Sequence, residues 1–129
     1  LTPQSVMRFG GYKVQGKSEI AHEEIFLQAQ AIEDAGAFML VLEGIPELLG
    51  KEISAALSIP TIGIGAGRFT DGQVLVYHDL LGYGEMLPKF VKRYASVAED
   101  ITRAVDQYCG EVRSGVFPAK EHTYYPINE

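Results

Sequence analysis

The sequence has 129 residues, of which 47% are hydrophobic and 22% are charged, and its formal net charge is −6. This size is typical of one globular domain or of part of a larger one, and the composition excludes a largely disordered chain. With 11 Lys and Arg residues against 17 Asp and Glu, the chain offers no basic surface to a phosphate backbone, so nucleic acid is not an expected partner.

The cellular setting is indicated by what the sequence lacks. A single cysteine, Cys109, excludes an internal disulfide bond and a cysteine-rich metal site. No apolar run reaches the roughly 20 residues that a membrane-spanning helix needs, and no basic segment precedes an apolar one at the N-terminus. We therefore expect a cytoplasmic protein with no membrane partner. Because the chain opens on Leu1 in what reads as mid-domain sequence, we interpret it as a fragment.

The first part of the chain predicts a loop and then a helix. Residues 1–17 are polar and rich in glycine, which is typical of a long functional loop. Ser18 is a favourable N-cap for a helix that runs to about Ala35, and Gly36 suits the position just after it. One face of this helix is apolar at intervals of three and four positions, which predicts packing on a sheet: Ala21, Ile25, Ala29 and Ile32.

A buried strand follows the helix and ends at an acidic residue. Residues 38–42 form a continuous apolar run, which is typical of a parallel strand covered on both faces. Glu43 ends this run, ahead of Gly44 and Pro46. In α/β folds the loops that follow the C-terminal ends of parallel strands build the functional site. Glu43 is therefore the candidate catalytic residue.

Two further strands and a helix are predicted next. Pro46 suits the first turn of a second helix that ends near Ser58, with an apolar face formed by Leu49, Ile53, Ala56 and Leu57. Residues 61–67 predict a short strand that ends in glycines, which allow the backbone to approach another element closely. Residues 73–79 predict a third buried strand.

The remaining chain predicts helices. Pro88 begins a helical region that includes Phe90, and the pair Ser96 and Glu99 has the spacing of a capping box. The long helix opened by this box ends at Gly115, and its apolar stripe consists of Val97, Ile101, Ala104, Val105, Tyr108 and Val112.

Three strands buried on both faces cannot form a complete sheet, because the edge strands would expose unpaired backbone groups and apolar side chains. The economical completion is a barrel of eight parallel strands, which takes roughly 250 residues. We therefore predict an α/β fold in which residues 1–129 form a single domain portion, about half of a barrel.

Several motifs occur together and in order along nearly the whole chain: residues 1–5, 10–16, 40–43, 63–67, 71–76, 78–79, 88–90 and 114–118. Together they closely resemble the C-terminal half of the ketopantoate hydroxymethyltransferase family. The resemblance implies the C-terminal half of a TIM (β/α)8 barrel of the phosphoenolpyruvate mutase type, with C-terminal helices and a tail. The N-terminal half of that barrel is absent from this chain and is its implied partner.

The resemblance also implies a reaction. Family members transfer a hydroxymethyl group from 5,10-methylenetetrahydrofolate to 3-methyl-2-oxobutanoate, which gives 2-dehydropantoate on the pathway to pantothenate and coenzyme A. Glu43 matches the general base that removes the C3 proton, and Mg²⁺ stabilises the enolate. The metal ligands lie in the N-terminal half, so no metal ligand is expected here and the chain alone should be inactive. The family forms homo-oligomers, typically decamers.

Other polar features have structural interpretations. Residues 63–67 lack the spacing of a dinucleotide fingerprint and fit a close-packing turn. His78 and Asp79 look like a metal pair, but neighbouring strand residues point to opposite faces, so joint ligation is not expected. Arg68 could favour an anionic ligand group, yet it is not assigned to the site.

Two assignments outside the strands stay open. Tyr12 and Lys13 in the first loop could flank a folate entrance, although a solvated loop explains them equally well. Cys109 lies beside Tyr108 on the long helix and is most simply a small apolar residue.

Two other functions remain as alternatives. One is another Mg²⁺-dependent keto-acid lyase or mutase of the same barrel superfamily, against which residues 10–16 speak. The other is a non-catalytic half-barrel that acts as an assembly module.

Overall fold

The computed structural model describes residues 14–84 and 87–126 and shows a mixture of helices and parallel strands. The elements in chain order are α1 (Glu19–Asp34), β1 (Leu40–Glu43), α2 (Glu47–Ala56), β2 (Thr61–Ile64), β3 (Gly72–Gln73), α3 (Tyr77–Leu81), α4 (Val97–Ser114) and a short 3-10 helix (Lys120–His122). The chain divides into two compact units, Leu1–Val76 with Pro88–Val91 and Tyr77–Leu87 with Lys92–Glu129.

The first unit contains a three-stranded parallel sheet in the order β1-β2-β3. Leu40 pairs with Thr61 at one end of the β1–β2 ladder and Glu43 pairs with Ile64 at the other. Because the strands are parallel, their C-terminal ends lie at the same edge of the sheet. This arrangement confirms the predicted α/β class, and the complete barrel stays a prediction.

Helices α1 and α2 cover one face of the sheet. Ser18 caps α1 as predicted, since its Oγ accepts a hydrogen bond of 3.3 Å from the backbone N–H of Ala21. The apolar face of α1 buries Ile25 and Ala29. The core cluster of this unit consists of Ile25, Ala29, Leu40, Leu42, Ile45, Leu49, Ile53, Leu57 and Ala66.

The prediction that β1 is buried on both faces is wrong for the described part of the chain. Leu40 and Leu42 are buried, whereas Val41 between them is 41% exposed and Phe38, ahead of the strand, is 83% exposed. Side chains alternate between the two faces of a strand, and α1 and α2 pack on one of those faces. The opposite face carries apolar residues that this unit leaves partly exposed.

The predicted third strand over residues 73–79 is also wrong. Only Gly72 and Gln73 pair with β2, and the backbone N–H of Val74 adds one bond of 2.9 Å to the carbonyl of Gly63. The ladder stops because β2 ends at Ile64 and the chain turns at Gly65, which removes the partner for any further strand residues. The chain beyond Val76 forms the short helix α3 instead.

The predicted helix that begins at Pro88 is not formed. Residues 88–91 make a turn in which the N–H of Val91 donates to the carbonyl of Pro88 at 3.0 Å. This segment belongs to the first compact unit, although it follows α3 in the sequence. Within this segment, the ring of Phe90 packs against Gly65.

The long helix α4 in the second unit confirms the prediction, and it ends at Gly115, whose φ of 75° is left-handed. The predicted capping box is wrong, because the Ser96 side chain makes no capping hydrogen bond. Ser96 has ψ 54°, whereas Ser18 has the extended ψ of 156° that aims its hydroxyl at the helix N-terminus. The apolar stripe of α4 is exposed at Ile101, Val105, Tyr108 and Val112. Within the described ranges, no helix combines the length and the apolar character needed to cross a bilayer.

Candidate active site

Glu43 is the last residue of β1, at the edge where the parallel strands end. It pairs with Ile64 of β2, and the N–H of Gly44 donates to the carbonyl of Ile64 at 3.0 Å. Leu40 and Leu42 belong to the core cluster beneath the helices, so the alternation places Glu43 on the opposite face. The side chain of Glu43 is half-buried. The carboxylate therefore lies on the sheet face away from the helices, at the rim.

Apolar residues surround Glu43 on that face. Paired residues of parallel strands point to the same side, so Val41, Ile62 and Ile64 share the face with Glu43. Ile64 is only 8% exposed, yet it is not part of the core cluster beneath the helices. The burial of Ile64 therefore comes from other parts of the chain. Glu43 is the acidic end of an otherwise apolar surface.

The chain turns at Gly65, directly after the residue that pairs with Glu43. Gly65 has a φ of +67°, and its carbonyl accepts a hydrogen bond of 3.2 Å from the N–H of Ile45. A Cβ at this position would lie 2.6 Å from Cδ1 of Phe90. The ring of Phe90 thus packs directly against the backbone of the rim. Sequence reasoning missed this contact; the available signal was a glycine at a strand end, which permits close approach.

The loop after β2 is held by side-chain hydrogen bonds. Nε2 of Gln73 donates to the carbonyl of Gly67 and to Oγ1 of Thr70, both at 2.8 Å, and the Thr70 hydroxyl donates to the carbonyl of Gly72 at 2.9 Å. A Cβ on Gly67 would collide with Glu47 at the start of α2. These contacts support a close-packing turn rather than a phosphate-binding loop.

The first described residues join the same rim. The N–H of Gln15 donates to the carbonyl of Gly44 at 3.0 Å, and Gly16 is buried against Leu49 and Ile25. The end of the predicted first loop is therefore attached next to Glu43. The candidate folate-entrance residues Tyr12 and Lys13 lie outside the described residues.

A polar network fixes the opposite, N-terminal end of β2. Thr61 is fully buried, and its N–H and hydroxyl both donate to Oδ2 of Asp71, at 2.8 and 3.0 Å. The hydroxyls of Ser54 and Thr61 lie 2.6 Å apart, and Ser54 donates to the carbonyl of Gly50. The hydrogen bond from the Thr61 backbone, followed by that from its hydroxyl, lowers the pKa of the Asp71 carboxyl. This network ties β2 to α2 and to the loop before β3.

A second carboxylate holds the turn between α2 and β2. Oε1 of Glu33, near the end of α1, accepts hydrogen bonds from the hydroxyl and N–H of Ser58 at 2.6 and 2.7 Å and from the N–H of Ile59 at 3.1 Å. The Ser58 hydroxyl, and then its backbone, lower the pKa of Glu33. Glu33 and Asp71 therefore stabilise the fold around β2, and neither is assigned to the rim that carries Glu43.

The other polar candidates have contacts of their own in the described residues. Nε of Arg68 lies 3.2 Å from a carboxylate oxygen of Glu47, and the Arg68 side chain is 83% exposed. In the second unit, His78 and Asp79 lie on α3, so the strand-alternation argument against joint ligation does not apply to them. The ring of His78 packs instead on Tyr77, with centroids 3.9 Å apart.

Two further observations concern metals and Cys109. Among residues 14–84 and 87–126, no group of three or more His, Cys, Asp or Glu side chains could hold a metal ion. Cys109 is half-buried on α4 as a free thiol.

Comparison with known proteins identifies close relatives. Residues 1–120 match the family model described as ketopantoate hydroxymethyltransferase. The chain is 61% identical over 125 residues to the 3-methyl-2-oxobutanoate hydroxymethyltransferase of Pelobacter propionicus and 55% identical to that of Clostridium beijerinckii. The Enterococcus faecalis protein of the same name is 54% identical. These alignments cover 96% of this chain but 46% of each relative, so the chain spans about half the length of the curated relatives it matches.

Proposed function

This chain belongs to the ketopantoate hydroxymethyltransferase family, and we propose that the protein containing it transfers a hydroxymethyl group from 5,10-methylenetetrahydrofolate to 3-methyl-2-oxobutanoate. The product is 2-dehydropantoate, an intermediate on the route to pantothenate. The family match and the identities of 54–61% support the transferase class.

In the proposed mechanism Glu43 is the general base. Its carboxylate takes the proton from C3 of the 2-oxo acid, so that the C3–H electron pair becomes the enolate. The methylene carbon of the folate is bonded to N5 and N10, and both C–N bonds break as it forms one bond to the enolate carbon and one to the oxygen of water. The folate nitrogens take up two protons, one from the protonated Glu43 and one from the water, and tetrahydrofolate leaves. The methylene carbon is already at the oxidation level of formaldehyde, so no oxidant or reductant is needed. A positioned base contributes typically about 10²–10⁴-fold to such a proton transfer.

One observation carries this role for Glu43. The carboxylate is half-buried at the C-terminal end of a parallel strand, on a face otherwise lined by Val41, Ile62 and Ile64. Parallel-strand ends are where α/β enzymes place reacting groups. An apolar face also suits the branched hydrocarbon end of the substrate. A base at the edge of an apolar surface matches an oxo acid whose acidic proton lies beside two methyl groups.

The cofactor and the assembly belong to the proposal as well. Mg²⁺ would polarise the keto oxygen and stabilise enolate charge, with its ligands in the portion of the family's barrel that this chain does not contain. The half-length match supports completion of a TIM barrel by an N-terminal half. We also propose that the protein is a cytoplasmic homo-oligomer, typically a decamer in this family.

The second candidate, a non-catalytic assembly module, is favoured by the exposed apolar residues of the first unit. Phe38 is 83% exposed, and Val74 and Val76 are 45% and 51% exposed. Such surfaces usually mark contacts with other chain segments. Completion of a barrel explains these exposed residues equally well. Membership of the ketopantoate hydroxymethyltransferase family favours a transferase over a lyase or mutase.

The test is proton exchange in the active protein that contains this chain. Glu43→Gln should slow deuterium incorporation at C3 of 3-methyl-2-oxobutanoate by at least about 10²-fold, because the amide cannot accept the proton. Glu47→Gln is the matched control, since Glu47 is an acidic residue in the same unit that pairs with Arg68. Exchange at the wild-type rate in Glu43→Gln would rule out the base role. Production of 2-dehydropantoate by the wild type separates the transferase from the assembly module.

A further inference from the structure

Phe90 lies against the rim that carries Glu43, and the family comparison assigns it no role. An added Cβ on Gly65 would meet Cδ1, Cγ and Cε1 of the Phe90 ring at 2.6, 2.8 and 3.1 Å. One edge of the ring therefore occupies the space that any side chain at position 65 would fill. Phe90 is nevertheless 40% exposed, so part of its ring remains accessible.

The strand register relates this ring to Glu43. Ile64 is paired with Glu43, and Gly65 follows Ile64 and accepts the hydrogen bond from Ile45. Neighbouring strands lie about 4.8 Å apart, so Phe90 packs on backbone one strand spacing away from the residues that follow Glu43. The ring thus lies beside the end of the strand that neighbours the strand of Glu43.

The strand face that carries Glu43 is otherwise apolar. Ile64 shares the face of Glu43 and is 8% exposed, and it does not belong to the core cluster beneath α1 and α2. Residues 88–91 join this unit from a distant part of the sequence and bring Phe90 against Gly65. An aromatic ring on such a surface offers a flat apolar wall at low conformational cost.

We propose that Phe90 is a specificity-determining residue whose ring contacts the branched aliphatic end of the 2-oxo acid bound at Glu43. This inference rests on the function proposed above and adds to it the source of the side-chain preference. Gly65 is required for the contact, because any Cβ would push the ring away from the rim. The wall favours substrates that carry two methyl groups at C3 over substrates that carry one.

The experiment compares two 2-oxo acids that differ by one methyl group, 3-methyl-2-oxobutanoate and 2-oxobutanoate. A single methyl or methylene group in an apolar pocket is worth about 10–200-fold in kcat/KM. In the active protein that contains this chain, Phe90→Ala should lower the preference for the branched acid by at least about 10-fold. The loss should appear mainly in KM, because the methyl groups contact the wall equally in the ground state and the transition state.

Phe69→Ala provides the matched control. Phe69 is in the same unit and is 44% exposed, close to the 40% of Phe90. The ammonium nitrogen of Lys51, however, lies over the Phe69 ring, 5.0 Å from its centroid. Its removal should leave the preference unchanged. Phe90→Leu keeps an apolar side chain and should retain an intermediate preference, which also carries the test if Phe90→Ala fails to fold.

The possible failures are distinguishable. If the wild type converts neither acid, the proposed function itself is wrong. If the wild type is active and Phe90→Ala and Phe90→Leu show the same preference as Phe69→Ala, the transferase assignment stands and the role of Phe90 is refuted.

Discussion

Helix α2 packs closely against the chain that follows β2, so the substitution Gly50→Ala should destabilise the protein. Gly50 is buried in the middle of α2, and a Cβ there would collide with the carbonyl oxygen of Ala66. That oxygen belongs to the backbone, so it cannot rotate away as the end of a flexible side chain would. Ala66 directly follows Gly65, which connects this contact to the rim.

Two effects of opposite sign act at Gly50. Alanine is favoured over glycine within a helix by about 1 kcal/mol, which stabilises the variant. Overpacking of a buried position typically costs about 1–3 kcal/mol, and a contact with rigid backbone should fall in the upper part of this range. We therefore expect Gly50→Ala to lose about 1–2 kcal/mol of unfolding free energy.

Gly110 in α4 isolates the first effect. It is an exposed mid-helix glycine, and no described atom lies within 4 Å of the Cβ it lacks. Gly110→Ala should therefore gain up to about 1 kcal/mol. Urea denaturation of the active protein that contains this chain, as wild type and as each of the two variants, measures the free energies of unfolding. If Gly50→Ala is stabilised as much as Gly110→Ala, the steric reasoning about α2 is wrong.

Two further predictions concern acid stability and association. Because hydrogen bonds lower the pKa of Glu33 and Asp71 in the folded state, their stabilisation is complete above the ordinary carboxyl pKa of about 4 and is lost as pH falls through the lower folded values. Thermal melts should show Glu33→Gln less stable than wild type at neutral pH, and this deficit should shrink as the pH falls below about 4. Glu23→Gln on the same helix should follow wild type throughout. A Glu33→Gln deficit that does not shrink in acid contradicts this account. Because apolar side chains of the first unit are exposed, residues 1–129 alone should aggregate or associate with an added N-terminal half. Size-exclusion chromatography measures this association. A monodisperse monomer that melts cooperatively would count against the expectation.

The local elements were largely predictable because their signals lie within a few residues. Ser18 marks the start of α1, and Gly115 marks the end of α4. The third strand was mispredicted because residues 73–79 have the composition of a strand but lose their ladder partner where β2 ends. A strand is stabilised by another strand, so its length depends on a segment elsewhere in the chain.

The candidate site was likewise predictable from the sequence only in part. Glu43 could be selected because a carboxylate after an apolar run has a clear position in an α/β fold, and the structure places it half-buried at the strand end. The ring of Phe90 could not be placed, since it lies 25 positions from Gly65 and the expected helix around it is not formed. Only the folded chain shows which part of the sequence covers the rim.

By itself, the sequence predicted the α/β class, the helices α1, α2 and α4, the strands β1 and β2, and the family, and it singled out Glu43 as the candidate base. These follow from short-range periodicity, capping and motif content. Tertiary structure alone decided which face of β1 is buried, where β3 stops, which polar groups anchor β2 and which aromatic ring packs on Gly65. Those features depend on contacts between residues distant in the chain, whose energies are set by the geometry of packing and not by local composition.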